Sequence, residues 1–216
     1  MRIKNWKETV ITCFSLLVSG FLNGHTQVDM GIFVGPQTGN VVNLGLNLAN
    51  GDGEMWMRNL INFLSFIAGC ALATILIRKL NSKSKQFMVG WTILTVATIG
   101  FILFQSDLPI NLNVFVMSVV SGITLCFFRK IGHVELNNVV VTGNMRSIAM
   151  SAVDTFGFKN EKSFSTFVVI AMGVFFFFLG ALLFGIANRW GGNSVLFAGM
   201  FLCFVPFLFM PRSSVN

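Results

Sequence analysis

The chain has 216 residues, of which 54% are hydrophobic and only 11% charged; it contains 25 Phe and no Tyr, and its mean hydropathy is +0.76. That composition excludes a soluble globular domain, and apolar runs of spanning length recur from end to end. The net charge of +7 does not indicate nucleic acid, because the basic residues flank apolar runs in the manner of the positive-inside rule and anionic lipid headgroups are sufficient partners for them.

The first element follows Arg2, Lys4 and Lys7, which precede the apolar run Val10–Leu22 as in a signal peptide. No A-x-A-like site follows, so an uncleaved first span is expected over about 9–25. Five more plain spans are expected at about 58–77, 86–105, 110–128, 164–187 and 194–210. Two segments are less regular, about 28–50 and about 133–152, and each contains a Thr-Gly-Asn: Thr38-Gly39-Asn40 and Thr142-Gly143-Asn144, 104 residues apart. These residues suit caps and turns better than a continuous membrane helix.

Charge decides whether the two irregular segments cross. If each dips in and returns to its own side, with the N-terminus cytoplasmic, twelve basic residues are inside, from Arg2 to Arg212, and only Arg58 and Arg189 face outward, with Arg146 within a dip. If both cross, the split is seven against seven. The positive-inside rule therefore favours dips. Each half then has three spans and one dip, so the second half is inverted relative to the first, an arrangement known from transporters and channels. The fold expected is an all-α polytopic membrane protein in one domain, residues 1–216, with about six spans, two re-entrant or broken helices and two inverted repeats, about 9–105 and about 110–210. Around the motif the halves read SGFLNGHTQVDMGIFVGPQTGNVVNLG and SGITLCFFRKIGHVELNNVVVTGNMRSIA, so Ser-Gly precedes each tripeptide at a comparable distance.

Thr is a good N-cap, and VVNLGLNLA and MRSIAMSA, which follow the tripeptides, read as helical. Each tripeptide then opens a half-helix whose free N–H groups and positive dipole end point into the protein. Two such ends favour an anion, a carboxylate or a polar acceptor. Thr38, Gly39, Asn40, Thr142, Gly143 and Asn144 are the candidate substrate-binding residues, with Arg146 as added positive charge. The competing reading makes the glycines close-contact sites and the asparagines interhelical hydrogen-bonding glue.

His25, His133, Asp29 and Glu135 read as interfacial residues, although either His is able to carry a proton. Cys13, Cys70, Cys126 and Cys203 lie in apolar stretches without C-x-x-C spacing and read as small apolar side chains rather than ligands, so no metal and no cofactor is expected. Two His and no H-E-x-x-H, G-x-S-x-G or carboxylate cluster give no support to an enzyme.

The stretch GFLNGHTQVDMGIFVGPQTGNVVNLGLNLANG resembles the N-terminal signature of the YoaK family of small bacterial membrane proteins, a Gly-Phe/Tyr-x-Asp-Ala followed by a Phe-rich stretch and Thr-Gly-Asn; FFRKIGHVELNNVVVTGNM resembles its second signature. Asn23 stands where the family usually has Asp, and Gly122–Leu125 replaces a more polar stretch. The resemblance implies a bacterial cytoplasmic (inner) membrane protein with no assigned activity; if the family's Asp is a proton or ion site, this chain lacks it, and Asn23 joins the candidate substrate-binding residues. The function expected is transport or channelling of a small solute, an anion or carboxylate among the candidates. The alternative is a non-transporting structural or sensory membrane protein. Membrane lipid and the solute are the expected partners, and a thin six-span bundle is compatible with a homodimer.

Overall fold

The computed structural model describes residues 6–104, 108–131, 134–136 and 141–190. These form α1 (Trp6–Met30), α2 (Gln37–Ala49), α3 (Gly53–Lys79), α4 (Lys83–Phe104), α5 (Ile110–Phe127), a two-residue antiparallel hairpin of β1 (Lys130–Ile131) and β2 (Val134–Glu135), α6 (Val141–Ala152) with a π-turn over Val153–Gly157, and α7 (Glu161–Arg189). Among the described residues the fold is all-α apart from that hairpin. Gly53–Lys79, Ile110–Phe127 and Ser163–Arg189 are long and apolar enough to cross a membrane. The span expected at about 194–210 lies outside the described residues.

Polarity is distributed inside out. Leu64, Ile67, Leu72 and Ile75 of α3 and Phe175, Phe178, Leu182 and Ile186 of α7 are exposed, whereas Thr9, Thr12, Ser15, Ser19, Asn23 and Thr26 of α1 are buried. A lipid solvent explains both: apolar faces need no cover there, and polar side chains must be enclosed. The six polar residues make a stripe along α1 about 25 Å long at 1.5 Å per residue, nearly the thickness of a hydrocarbon core.

Glycine sets the closest helix approaches. A Cβ on Gly20 of α1 would collide with the Phe177 carbonyl of α7, and one on Gly180 of α7 with the Leu17 carbonyl of α1. A Cβ on Gly69 of α3 would collide with the Val119 carbonyl of α5, and one on Gly122 of α5 with the Phe66 carbonyl of α3. Such backbone-to-backbone contact is how membrane helices gain dispersion energy. Contacts advance together along each pair: Gly173 approaches Leu16 and Gly24 approaches Phe184, while Ser118 bonds Asn62 and Cys126 bonds the Cys70 carbonyl. So α1 runs parallel to α7, and α3 parallel to α5. By contrast, α1 is antiparallel to α5: Ile11 and Val18 cluster with Val120, Ile123, Phe127 and Phe128, whereas Met30 clusters with Val114 and Met117.

These directions gather charge at one end. Arg78, Lys79, Lys83, Lys85, Arg129 and Lys159 lie at the end where α1 begins, while Arg58 and Arg189 lie at the opposite end.

Candidate functional site

The segment after α1 turns back into the bundle. Gly31 takes a positive φ of 73°, which glycine adopts without strain and which ends α1. The Arg58 guanidinium donates to the Met30 carbonyl at 3.3 Å, so the end of α1 is level with the first turns of α3. From there an extended stretch runs inward, and the Gly35 N–H donates to the Asn23 Oδ1 at 3.0 Å. Asn23 is seven residues before Met30, so the tip lies about 10 Å deep. At Gln37 the chain becomes α2 and climbs back along α3 to Gly51, a second positive-φ glycine at 73°. Residues 31–50 thus leave and return at one end of the bundle.

Carboxamides hold this dip. Asn40, 1% exposed, donates to the Phe33 and Pro36 carbonyls and accepts the Phe33 N–H at 3.4 Å. Asn62 of α3 donates to the Phe33 carbonyl at 2.9 Å, and its oxygen accepts from Ser118 of α5 at 2.7 Å and from Gln37 at 3.4 Å. Each carboxamide satisfies backbone groups that the extended stretch leaves unpaired at membrane depth. The Asn23 Nδ2 donates to the Ser19 carbonyl at 2.8 Å.

The segment around the second Thr-Gly-Asn is built with different chemistry. After the hairpin the Leu136 N–H donates to the Arg129 carbonyl at 2.7 Å, and Leu136, fully buried, joins Val134, Val169 and Ile170. α6 then returns along α7, with the Phe156 and Phe167 rings edge to face. Residues 132–133 and 137–140, including His133, lie outside the described residues.

The tripeptides occupy matching places. Gln37 opens α2 and Val141 opens α6, so Thr, Gly and Asn are the second, third and fourth residues of each half-helix. Thr38 and Thr142, expected to cap, are instead exposed within the first turn of their helices; in α2 the cap position is taken by Pro36, with φ −69° and no side-chain bond. The first-turn N–H groups of α2 therefore lack a side-chain cap. Gly39 is exposed with no atom near where a Cβ would stand. Asn40 and Asn144 face inward, at 1% and 3% exposure.

Arg146, expected beside Asn144, is exposed. Residues two apart on a helix point to different faces, so burying Asn144 turns Arg146 away. The more enclosed arginine is Arg58, whose side chain is 13% exposed, bonded to Met30 and ion-paired with Glu54. Its apolar flank and position before a span gave it the appearance of an ordinary interfacial residue.

Asn23 separates two cavities. On one side is a cleft of about 330 Å³ between α1, α7 and the first dip, lined by Gly20, Asn23, Gln27, Phe33, Pro36 and Asn188 among others. On the other is a cavity of about 10 Å³ between α1, α4 and α5, lined by Ser19, Asn23, Val34, Leu94, Ser121 and Thr124. Sequence reasoning passed over Ser19, Asn62, Ser118 and Ser121. The Ser-Gly pairs at 19–20 and 121–122 were the available signal, since they recur ahead of both tripeptides. Among the described residues no group of three or more His, Cys, Asp or Glu is placed to hold a metal.

Residues 11–209 match the DUF1275 family, described as a protein of unknown function. The chain is similar to the UPF0700 transmembrane protein YoaK of Bacillus subtilis (strain 168), with 25% identity over 181 residues that cover 79% of this chain and 77% of the relative. No solved structure matches it. A transmembrane relative, an apolar lipid-facing surface and a match over nearly the whole length lead to one conclusion: the chain is a membrane protein belonging to the DUF1275 family, with YoaK as a relative.

Proposed function

We propose that this protein is a small-solute transporter or channel of the bacterial cytoplasmic membrane, built from two inverted halves of three spans and one dip each, with both termini cytoplasmic. The observation that carries the reading is the first dip: a half-helix that begins about 10 Å inside the bundle, with an uncapped N-terminal turn, beside a cleft that reaches Asn23. Irregular backbone at that depth is tolerated where it is buried in protein or lines a polar cavity, and half-helix N-termini near the midplane are a recurring substrate device.

The glycine contacts support the inverted halves. Shifting Leu17 and Gly20 by 102 residues gives Val119 and Gly122; shifting Phe66 and Gly69 by 111 gives Phe177 and Gly180. The contact of Gly20 with Phe177 then becomes that of Gly122 with Phe66, and the contact of Gly180 with Leu17 becomes that of Gly69 with Val119. Under this exchange α2 on α3 becomes α6 on α7. The axis relating the halves passes where α1 and α5 meet, at Ser19 and Ser121. The charge distribution supports a cytoplasmic position for the end bearing Arg78, Lys79, Lys83, Lys85 and Arg129.

The test is permeation. Purified protein in liposomes, challenged with a panel of small solutes in stopped-flow light scattering, is expected to accelerate the passage of at least one over empty vesicles. A correctly folded, inserted protein that accelerates none would favour the structural or sensory alternative.

A further inference from the structure

We propose that the solute is small and uncharged, that it carries both hydrogen-bond donors and acceptors, and that it is selected at a neck formed by Ser19 and Ser121. The inference rests on the transport reading above and adds the substrate class.

The neck is the cavity of about 10 Å³ where α1 meets α5, room for about one water molecule. The Thr124 hydroxyl at its wall is already bonded to the Val120 carbonyl at 2.8 Å. The Ser19 and Ser121 hydroxyls have no hydrogen bond among the described residues. A hydroxyl rotates to donate or accept, so this wall matches either kind of polar group.

Polar atoms without partners continue on both sides of the neck. Toward the basic end, the Thr12 hydroxyl of α1 and the Trp91 indole N–H of α4 are fully buried without a hydrogen bond. Toward the opposite end, Asn59 Oδ1 and Gln37 Oε1 are buried without donors. Their orientation is fixed, because the Asn59 amide donates to the Met55 carbonyl at 2.7 Å and the Gln37 amide to the Val34 carbonyl at 3.2 Å. An unpaired polar atom at membrane depth is costly unless water or solute meets it. The set offers acceptors at Asn59 and Gln37, and donors at Trp91 and the first turn of α2.

Charge is absent from this line. Ser19, Asn23, Ser121 and Thr124 are uncharged, and so are the remaining neck residues, Leu22, Val34, Leu94, Met117 and Val120. Arg146 is exposed, Arg58 is ion-paired with Glu54, and His25 with Asp29 at 2.7 Å. A charged solute would leave water with no counter-charge to meet it, which a low-dielectric neck penalises strongly. A neutral solute with donors and acceptors satisfies the orphaned atoms and incurs no such penalty.

Stopped-flow light scattering on proteoliposomes, with glycerol and urea against formate and chloride, tests this. Glycerol or urea is expected to pass well above the empty-vesicle rate, while formate and chloride stay at background. Ser121→Val, which removes the hydroxyl and narrows the neck, is expected to slow the neutral solute about fivefold or more. Leu72→Ala on the lipid face is the variant expected to match the wild type. If Ser121→Val fails to fold, Ser19→Val removes the facing hydroxyl, narrows the same neck and is read in the same way. Passage of formate or chloride with the neutral solutes at background would overturn the inference and leave the transport reading standing. Passage of nothing would overturn both. A folded Ser121→Val protein as fast as the wild type would overturn the assignment of the neck.

Discussion

The Asn23 carboxamide oxygen accepts the Gly35 N–H at 3.0 Å while its amide donates to the Ser19 carbonyl at 2.8 Å. One side chain thus ties the tip of the first dip to the helix that carries the central stripe. Asn23→Leu leaves the buried Gly35 N–H without an acceptor, which costs about 1–3 kcal/mol. The melting temperature in detergent should fall accordingly. Asn23→Asp keeps an acceptor for Gly35 and should retain more of the wild-type stability than Asn23→Leu. Equal losses in the two variants would mean that the Gly35 bond contributes little.

Asn40 should behave as a structural residue. Its hydrogen bonds all go to backbone of its own dip, at Phe33 and Pro36. Asn40→Ala is expected to lower thermal stability by about 2 kcal/mol or more, the cost of leaving buried backbone groups unpaired. Any loss of function should scale with the amount of folded protein. A stable Asn40→Ala protein that has lost permeation would assign Asn40 to the solute instead.

The glycines should divide sharply. Gly20, Gly69, Gly122 and Gly180 each face a carbonyl that a Cβ would strike, so alanine at any of them should push a helix pair apart and reduce folded yield. Gly39 has open space around it, and Gly39→Ala should leave stability equal or raise it by up to about 1 kcal/mol through helix propensity. Fluorescence size-exclusion profiles with a thermal ramp read both effects. Tolerance of alanine at Gly20 and Gly180 together would contradict the close α1–α7 contact.

Arg58 of α3 and Arg146 of α6 should differ in what their loss costs the fold. Arg58→Gln removes an enclosed guanidinium, with its bond to Met30 and its pairing to the exposed Glu54, whereas Arg146 is itself exposed. Arg58→Gln is expected to destabilise by about 1–3 kcal/mol and Arg146→Gln by less than about 0.5 kcal/mol. Thermal melts of the two variants side by side check the order.

Much of the architecture was legible because membrane physics writes it in composition. The helices at Gly53–Lys79, Ile110–Phe127 and Glu161–Arg189 follow from apolar length, and the irregularity of the segment at about 28–50 from a Thr-Gly-Asn that a straight helix would not carry. Positions two or three residues into a half-helix were harder, since Pro36 captures the cap position and moves Thr38 inside. Long-range partners were not legible. Nothing local tells that Asn62 reaches Phe33 and Ser118, or that Gly20 meets Phe177, because those pairs are set by which helices come together. The face of Arg146 followed from helical phase once Asn144 was buried, and burial was the missing fact.

The central claim is that the two Thr-Gly-Asn segments line one pathway from opposite faces of the membrane. Thr38 and Thr142 are exposed at matching positions of α2 and α6, so cysteine at each is a direct reporter in a background lacking the native cysteines. Thr38→Cys and Thr142→Cys would be labelled with a small membrane-impermeant thiol reagent in intact cells and in inverted vesicles. Thr38→Cys should react from outside and Thr142→Cys only from the cytoplasmic face, each slowed by a permeating solute. Labelling of both from the same face would contradict the account.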